Sequence, residues 1–265
     1  MDAFLPDPLG FHGIGEMDRL GFRGQGVNIL VFEVPETGHA DRVEASVRYM
    51  APEANVLRAW FNLHPFHRND LIRYIVEENI HIVNISLAAA GYPEEFLGTL
   101  DEFIRRGLLV FSAAGNEGDR GPFGLASDVG IMVGAASLQP DGTVRKDESS
   151  AISRWLDFMF LKPPPELAGM GTSFASPMAA GFAARILSGY GGMHQKEMYW
   201  AMRALALDMA EPGWDRYTGW GIPVFREDRM DPVYREILAV RQKDKEKEKS
   251  SGHWLERLFT GGWNR

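Results

Sequence analysis

A repeated alternation of short apolar runs with amphipathic helical stretches constrains this chain more than any other feature of its sequence. Residues 27–33 (VNILVFE), 54–60 (ANVLRAW), 81–87 (HIVNISL) and 108–113 (LLVFSA) are mostly apolar without strict alternation. Such runs suit strands that are buried on both faces of a sheet. Between them, residues 67–79 place Leu71, Ile72, Ile75 and Val76 on one helical face. Residues 94–106 do the same with Phe96, Leu97, Leu100, Phe103 and Ile104, and stop at Gly107. Residues 130–137 (GIMVGAAS) predict another strand, and Pro140-Asp141-Gly142 predicts a hairpin turn. Residues 173–187 predict a helix of small residues, with Ala175, Met178, Ala179, Phe182, Ala183 and Ile186 at helical spacing, and a further helix is expected over 194–207. Strands that alternate with helices predict an α/β fold of three layers, with a mostly parallel central sheet and helices on both faces.

With 265 residues the chain is long enough for one such domain with a full core. Its net charge of −8 argues against nucleic acid as the main partner, because phosphate binding wants a basic surface. Cysteine is absent, which excludes disulfides and thiolate metal ligands. No apolar run reaches the length of about 18 residues that a membrane span needs. Met1 to Gly15 lacks a basic segment followed by an apolar one, so the expected location is cytoplasmic.

Five segments carry candidate chemistry. The first, Gly171-Thr172-Ser173-Phe174-Ala175-Ser176-Pro177-Met178-Ala179-Ala180-Gly181, puts Ser173 in the first turn of the small-residue helix. A helix N-terminus offers unpaired N–H groups and a positive partial charge, both of which favour negative charge on a reacting acyl group. Ser112-Ala113-Ala114-Gly115-Asn116-Glu117-Gly118 directly follows one predicted strand, and Ser86-Leu87-Ala88 ends another. Gly38-His39-Ala40-Asp41-Arg42-Val43 opens a helix with a histidine, and Met50-Ala51-Pro52-Glu53-Ala54 follows it. Finally, the run at 27–33 ends in a carboxylate, Glu33.

Taken together, these strings resemble the subtilisin-like (S8) serine peptidases over about residues 12–225, closing with Tyr217-Thr218-Gly219-Trp220-Gly221-Ile222-Pro223-Val224. The order carboxylate, histidine, serine is also that of subtilisin. The resemblance implies a serine endopeptidase of subtilisin-like fold, with Ser173 as nucleophile, His39 as general base, Glu33 as the orienting carboxylate and Asn116 as oxyanion donor. It also implies that a peptide or protein substrate lies along Ser86, Leu87, Ala88, Ala113, Ala114, Gly115 and Thr172. No cofactor and no metal are implied. Glutamate stands where the family has aspartate, so Glu36 and Asp41 remain rivals for the third triad position. An orphaned Glu33 would leave an inactive peptide-binding module instead. Ala88 stands where the family has glycine, and a methyl there would narrow the first specificity pocket.

Only five residues separate Glu33 from His39, and eleven separate His39 from Ala51. Family members build calcium loops in these places, and calcium needs about six to eight oxygens from a shaped loop. The family's high-affinity calcium site is therefore expected to be absent. Phe4-Leu5-Pro6 is similar to the short N-terminal blocking segment of intracellular subtilisins. The expected division is an N-terminal arm over 1–20, a catalytic domain over 21–226 and a helical, charged C-terminal extension over 227–265. That extension holds the charge run Lys243–Lys249 and an apolar tail, His253–Trp263. The tail leaves open a homo-oligomer, or a subunit whose activity depends on assembly. A processing role is expected rather than bulk digestion.

Overall fold

The computed structural model describes residues 7–33, 38–60, 67–87, 94–121, 130–167, 169 and 171–250. The expectations placed on Phe4-Leu5-Pro6, Glu36, Ala88 and His253–Trp263 lie outside the described residues. In chain order the elements are α1 (Pro8–Phe11), α2 (Ile14–Arg19), β1 (Asn28–Glu33), α3 (His39–Met50), β2 (Asn55–Trp60), α4 (Arg68–Glu77), β3 (Ile82–Ile85), α5 (Glu94–Arg105) and β4 (Leu109–Ala113). They continue with β5 (Ile131–Leu138), β6 (Val144–Lys146), β7 (Phe158–Leu161), α6 (Thr172–Tyr190), α7 (Gln195–Leu205), β8 (Ala206–Leu207), β9 (Ile222–Pro223) and α8 (Glu227–Ser250).

The sheet runs β2-β1-β3-β4-β5-β6, with β7 also paired to β5. Every pairing in it is parallel except β5 with β6, the hairpin that turns at Asp141-Gly142. Gly142 takes φ +83°, a left-handed conformation that suits the turn. Adjacent residues of a strand point to opposite faces, and the two faces of this sheet meet different helices. Ile29 and Val31 of β1 join α3, α6 and α7 in one core, whereas Leu30 and Phe32 join Ile75 of α4 and Phe96, Leu100 and Phe103 of α5 in another. The result is the three-layer architecture read from the alternation. One predicted core position is displaced: Val76 is 55% exposed, because α4 turns only Ile75 fully inward, with Leu71 and Ile72 at the margin.

Helix α6 is buried along almost its whole length, and Ser173 is the partly exposed position in its first turn. Its small side chains permit this depth. A Cβ on Gly181 would press into Met50 of α3 at 2.8 Å. Even Arg185 is buried, and is satisfied by Asp18 at 2.7 Å and by the carbonyls of Met50 and Phe22. Helix α8 packs on α7 with Met230 and Ile237 buried, and Arg241 pairs with Glu197 at 2.5 Å. Among the described residues, no helix is long and apolar enough to cross a membrane.

Candidate active site

The candidate side chains come from the end of β1, the start of α3, the loop after β4 and the first turn of α6. Glu33 is the last residue of β1, and its side chain is fully buried. His39 is the first residue of α3. The His39 Nδ1–H donates to Glu33 Oε2 at 3.1 Å. That contact fixes the ring's tautomer and leaves Nε2 facing the opposite way. Glu33 Oε1 is buried with no hydrogen-bond partner among the described residues. Of the rival carboxylates, Asp41 points elsewhere, paired with Arg58 at 2.7 Å and with its side chain 70% exposed. The other face of the histidine lies near α6, with its ring centroid 5.3 Å from that of Phe174.

Ser173 sits in the first turn of α6, and a pair of crossed hydrogen bonds holds it. Its hydroxyl donates to the Ser86 carbonyl at 3.2 Å, and the Ser86 hydroxyl donates to the Ser173 carbonyl at 2.8 Å. The second bond has a cause in the sequence. In an α-helix the Ser173 carbonyl would accept from the N–H four residues on, but that residue is Pro177, which has none. Ser86 fills the vacancy. Behind it a buried chain continues: Asn84 Nδ2 donates to Ser86 Oγ at 2.9 Å, and Ser176 Oγ donates to Asn84 Oδ1 at 2.7 Å. Sequence reasoning missed Asn84 and Ser176. The signal available was a polar residue, Asn84, inside the otherwise apolar run 81–87. A buried amide there must find partners. No hydrogen bond joins Ser173 to His39; the serine hydroxyl is engaged by Ser86.

Asn116 is exposed and lies in the loop after β4. Its Oδ1 accepts from the Thr172 N–H at 2.8 Å and from the Thr172 hydroxyl at 3.1 Å. The amide is thereby oriented, and its N–H groups have no protein acceptor among the described residues. Thr172 also ties the loop down by accepting from the Gly115 N–H at 3.1 Å. Gly171 has φ +99°, and a Cβ there would collide with the Asn116 side chain. Glycine at this position therefore lets the loop after β4 approach the N-terminus of α6. Of the proposed substrate edge, Ser86, Leu87, Ala113, Ala114 and Gly115 are buried.

Chemically, the arrangement presents an alcohol at a helix N-terminus, an oriented amide donor beside it, and an imidazole backed by a buried carboxylate. The model of the subtilase family matches residues 166–221, which include α6 and its N-terminus. Subtilisin from Bacillus sp. (strain TA39) is 26% identical over 178 residues, which span 58% of this chain and 38% of that protein. The chain thus corresponds to well under half the length of this relative. Among solved structures, the S41 psychrophilic protease superimposes with a TM-score of 0.63 at 20% identity, covering 77% of this chain and 92% of that one. A lanthipeptide protease superimposes with a TM-score of 0.65 at 16% identity, covering 88% and 95%. These structural likenesses are of fold.

Proposed function

We propose that this chain, a subtilisin-like member of the subtilase family, is a serine endopeptidase that cleaves peptide bonds through an acyl-enzyme. In this reading an extended substrate pairs with the backbone at Ser86 and Leu87 as an added strand. Its carbonyl displaces the resting bond between the Ser173 hydroxyl and Ser86. His39 Nε2 takes the Ser173 proton as Ser173 attacks, and the Asn116 amide with the Ser173 N–H holds the oxyanion. Glu33 holds the ring's tautomer and stabilises the imidazolium. His39 then protonates the leaving amine, and water releases the acyl group.

The observation that carries this reading is the Glu33–His39 hydrogen bond of 3.1 Å, formed at the sheet edge where α6 presents Ser173. A processing role, on one or a few peptides, is part of the proposal. The shared fold of the lanthipeptide protease supports that part. The test is cleavage of a diverse peptide library followed by mass spectrometry. Expected are cuts at a narrow set of sequences, abolished in Ser173→Ala. Cuts that persist in that variant would refute the assignment.

A second reading, a peptide-binding module without turnover, draws on the Ser173 hydroxyl being bonded to Ser86 rather than to His39. Library peptides that bind and are never cut would favour it.

A further inference from the structure

A second concavity lies away from Ser173, where β5 and β7 begin and α7 crosses them. It has a volume of about 620 Å³. Strands β3 and β4 stand between β1, which carries Glu33, and β5. Four of the chain's seven tryptophans line it, Trp155, Trp200, Trp214 and Trp220, together with Tyr199 and Asp157. None of these residues belongs to the candidate active site. Trp200 and Trp214 are 50% and 40% exposed, a poor use of indole in a part that only supports the fold. Two of the rings are held in place by their N–H groups. Trp214 Nε1 donates to the Leu156 carbonyl at 2.8 Å, and Trp220 Nε1 donates to the Tyr199 hydroxyl at 2.6 Å.

The pocket's acid is Asp157. Its Oδ2 accepts from the Met132 N–H at 2.8 Å. Among the described residues it has no ion-pair partner. Burial pushes its carboxyl up to about 7, as expected of an acid that lacks a cation. Three cationic side chains are near. Lys196 and Arg154 line the pocket but are exposed, with Arg154 stacked on Trp155 at 4.1 Å. Arg203 covers Trp220 at 3.7 Å and is not part of the lining. These two stacked guanidinium groups show that the indole faces here accept positive charge. Among the described residues, no cationic group stacks on the faces of Trp200, Trp214 and Tyr199.

We propose that this pocket binds an organic cation, an ammonium or methylated ammonium on a short apolar body, with its charge over the indole rings and toward the Asp157 carboxylate. The physical case is that aromatic faces attract cations through the ring quadrupole, and the Asp157 carboxylate, once ionised, adds an opposite charge.

The test uses the full chain and two pairs of probes, read by tryptophan fluorescence and by the indole N–H signals in NMR. Choline is compared with its neutral isostere 3,3-dimethylbutan-1-ol. Nα-acetyl-lysine methylamide is compared with the norleucine analogue. At least one cation should bind saturably, about tenfold or more tighter than its neutral partner. The pair with the larger ratio separates a free small cation from a peptide side chain as the source. Asp157→Asn should lower the cation's affinity about tenfold, and Trp200→Ala, at a half-exposed site that spares the fold, should weaken it as well. Ser173→Ala should leave binding unchanged, so failure here is independent of the peptidase reading. Equal affinity for charged and neutral probes, or no saturation by either cation at about 100 mM, would overturn the proposal.

Discussion

The Glu33 side chain holds a buried carboxylate with one oxygen on His39 and the other without a partner among the described residues. In the proposed mechanism Glu33 acts through its charge, which stabilises the imidazolium. Glu33→Gln is expected to fold, to keep a side chain of the same size, and to lower kcat by about 10²-fold or more, because the amide can hold the wrong tautomer. Steady-state kinetics on any cleaved peptide checks this, and an unchanged kcat would contradict it. Asn116→Ala should cost about 10²–10³ in kcat with little change in KM, the size that loss of this donor has in subtilisin itself. At this scale the sequence was legible where the candidate residues lie in contiguous strings, as with Gly171–Gly181 and Ser112–Gly118, whose Thr172 and Asn116 the structure brings into contact. It left open which of three carboxylates meets His39, because that depends on where the β1 strand ends relative to α3. It also concealed the bond between Ser176 and Asn84, which are 92 residues apart.

Elements position the site through what their ends lack. Helix α6 has no N–H at Pro177, and β3 with the residue after it supplies the Asn84–Ser86 relay that satisfies the freed carbonyl of Ser173. Asn84→Ala removes the relay's centre and leaves the Ser86 and Ser176 hydroxyls to re-aim. The expected outcome is a fall in kcat of about tenfold or more with folding retained, and a partial recovery in Asn84→Asp at pH values where the acid is protonated. Full activity in Asn84→Ala would show that Pro177 and Ser86 suffice.

His12, the first of two residues between α1 and α2, has a different task. His12 is fully buried and stacked on Phe160, with Nδ1–H donating to the Pro223 carbonyl at 2.7 Å and Nε2 accepting from the Leu161 N–H at 3.3 Å. The bond from Leu161 requires the neutral ring, since Nε2 must accept, and burial lowers the pKa to about 4. A histidine that is depressed on folding stabilises the fold above its unfolded pKa near 6.5, and that contribution is lost as pH falls toward 4. The loss is expected to reach about 3 kcal/mol. Asp157, raised to about 7, has the opposite slope, so denaturation midpoints are compared with those of His12→Gln. The wild-type advantage should shrink from pH 7 to pH 4; a constant difference would contradict this. The short helices around His12 were not legible, since Asp7–Arg19 shows no long periodicity and draws its order from the core it meets.

Over the whole molecule, the sheet and its two helical layers follow from the alternation of apolar runs, and this was the most legible part of the chain. Helix α8 shows the limit of composition. Its sequence is mostly charged, yet Met230 and Ile237 are buried against the body of the fold. Ile237→Ala should destabilise by about 2–4 kcal/mol, whereas Leu238→Ala, at a position 44% exposed, should stay within about 0.5 kcal/mol. Thermal unfolding of the two variants decides whether α8 belongs to the cooperative unit, and equal effects would argue that it does not. The proposed function rests on the meeting of β1, α3, the loop after β4 and α6 at one edge, and that proposal can be tested in a single step. Treatment with a fluorophosphonate and mass analysis of the intact protein should show one adduct, mapped to Ser173, absent in Ser173→Ala and strongly reduced in His39→Ala. An adduct that survives in Ser173→Ala, or no adduct on the folded wild-type chain, would contradict the account.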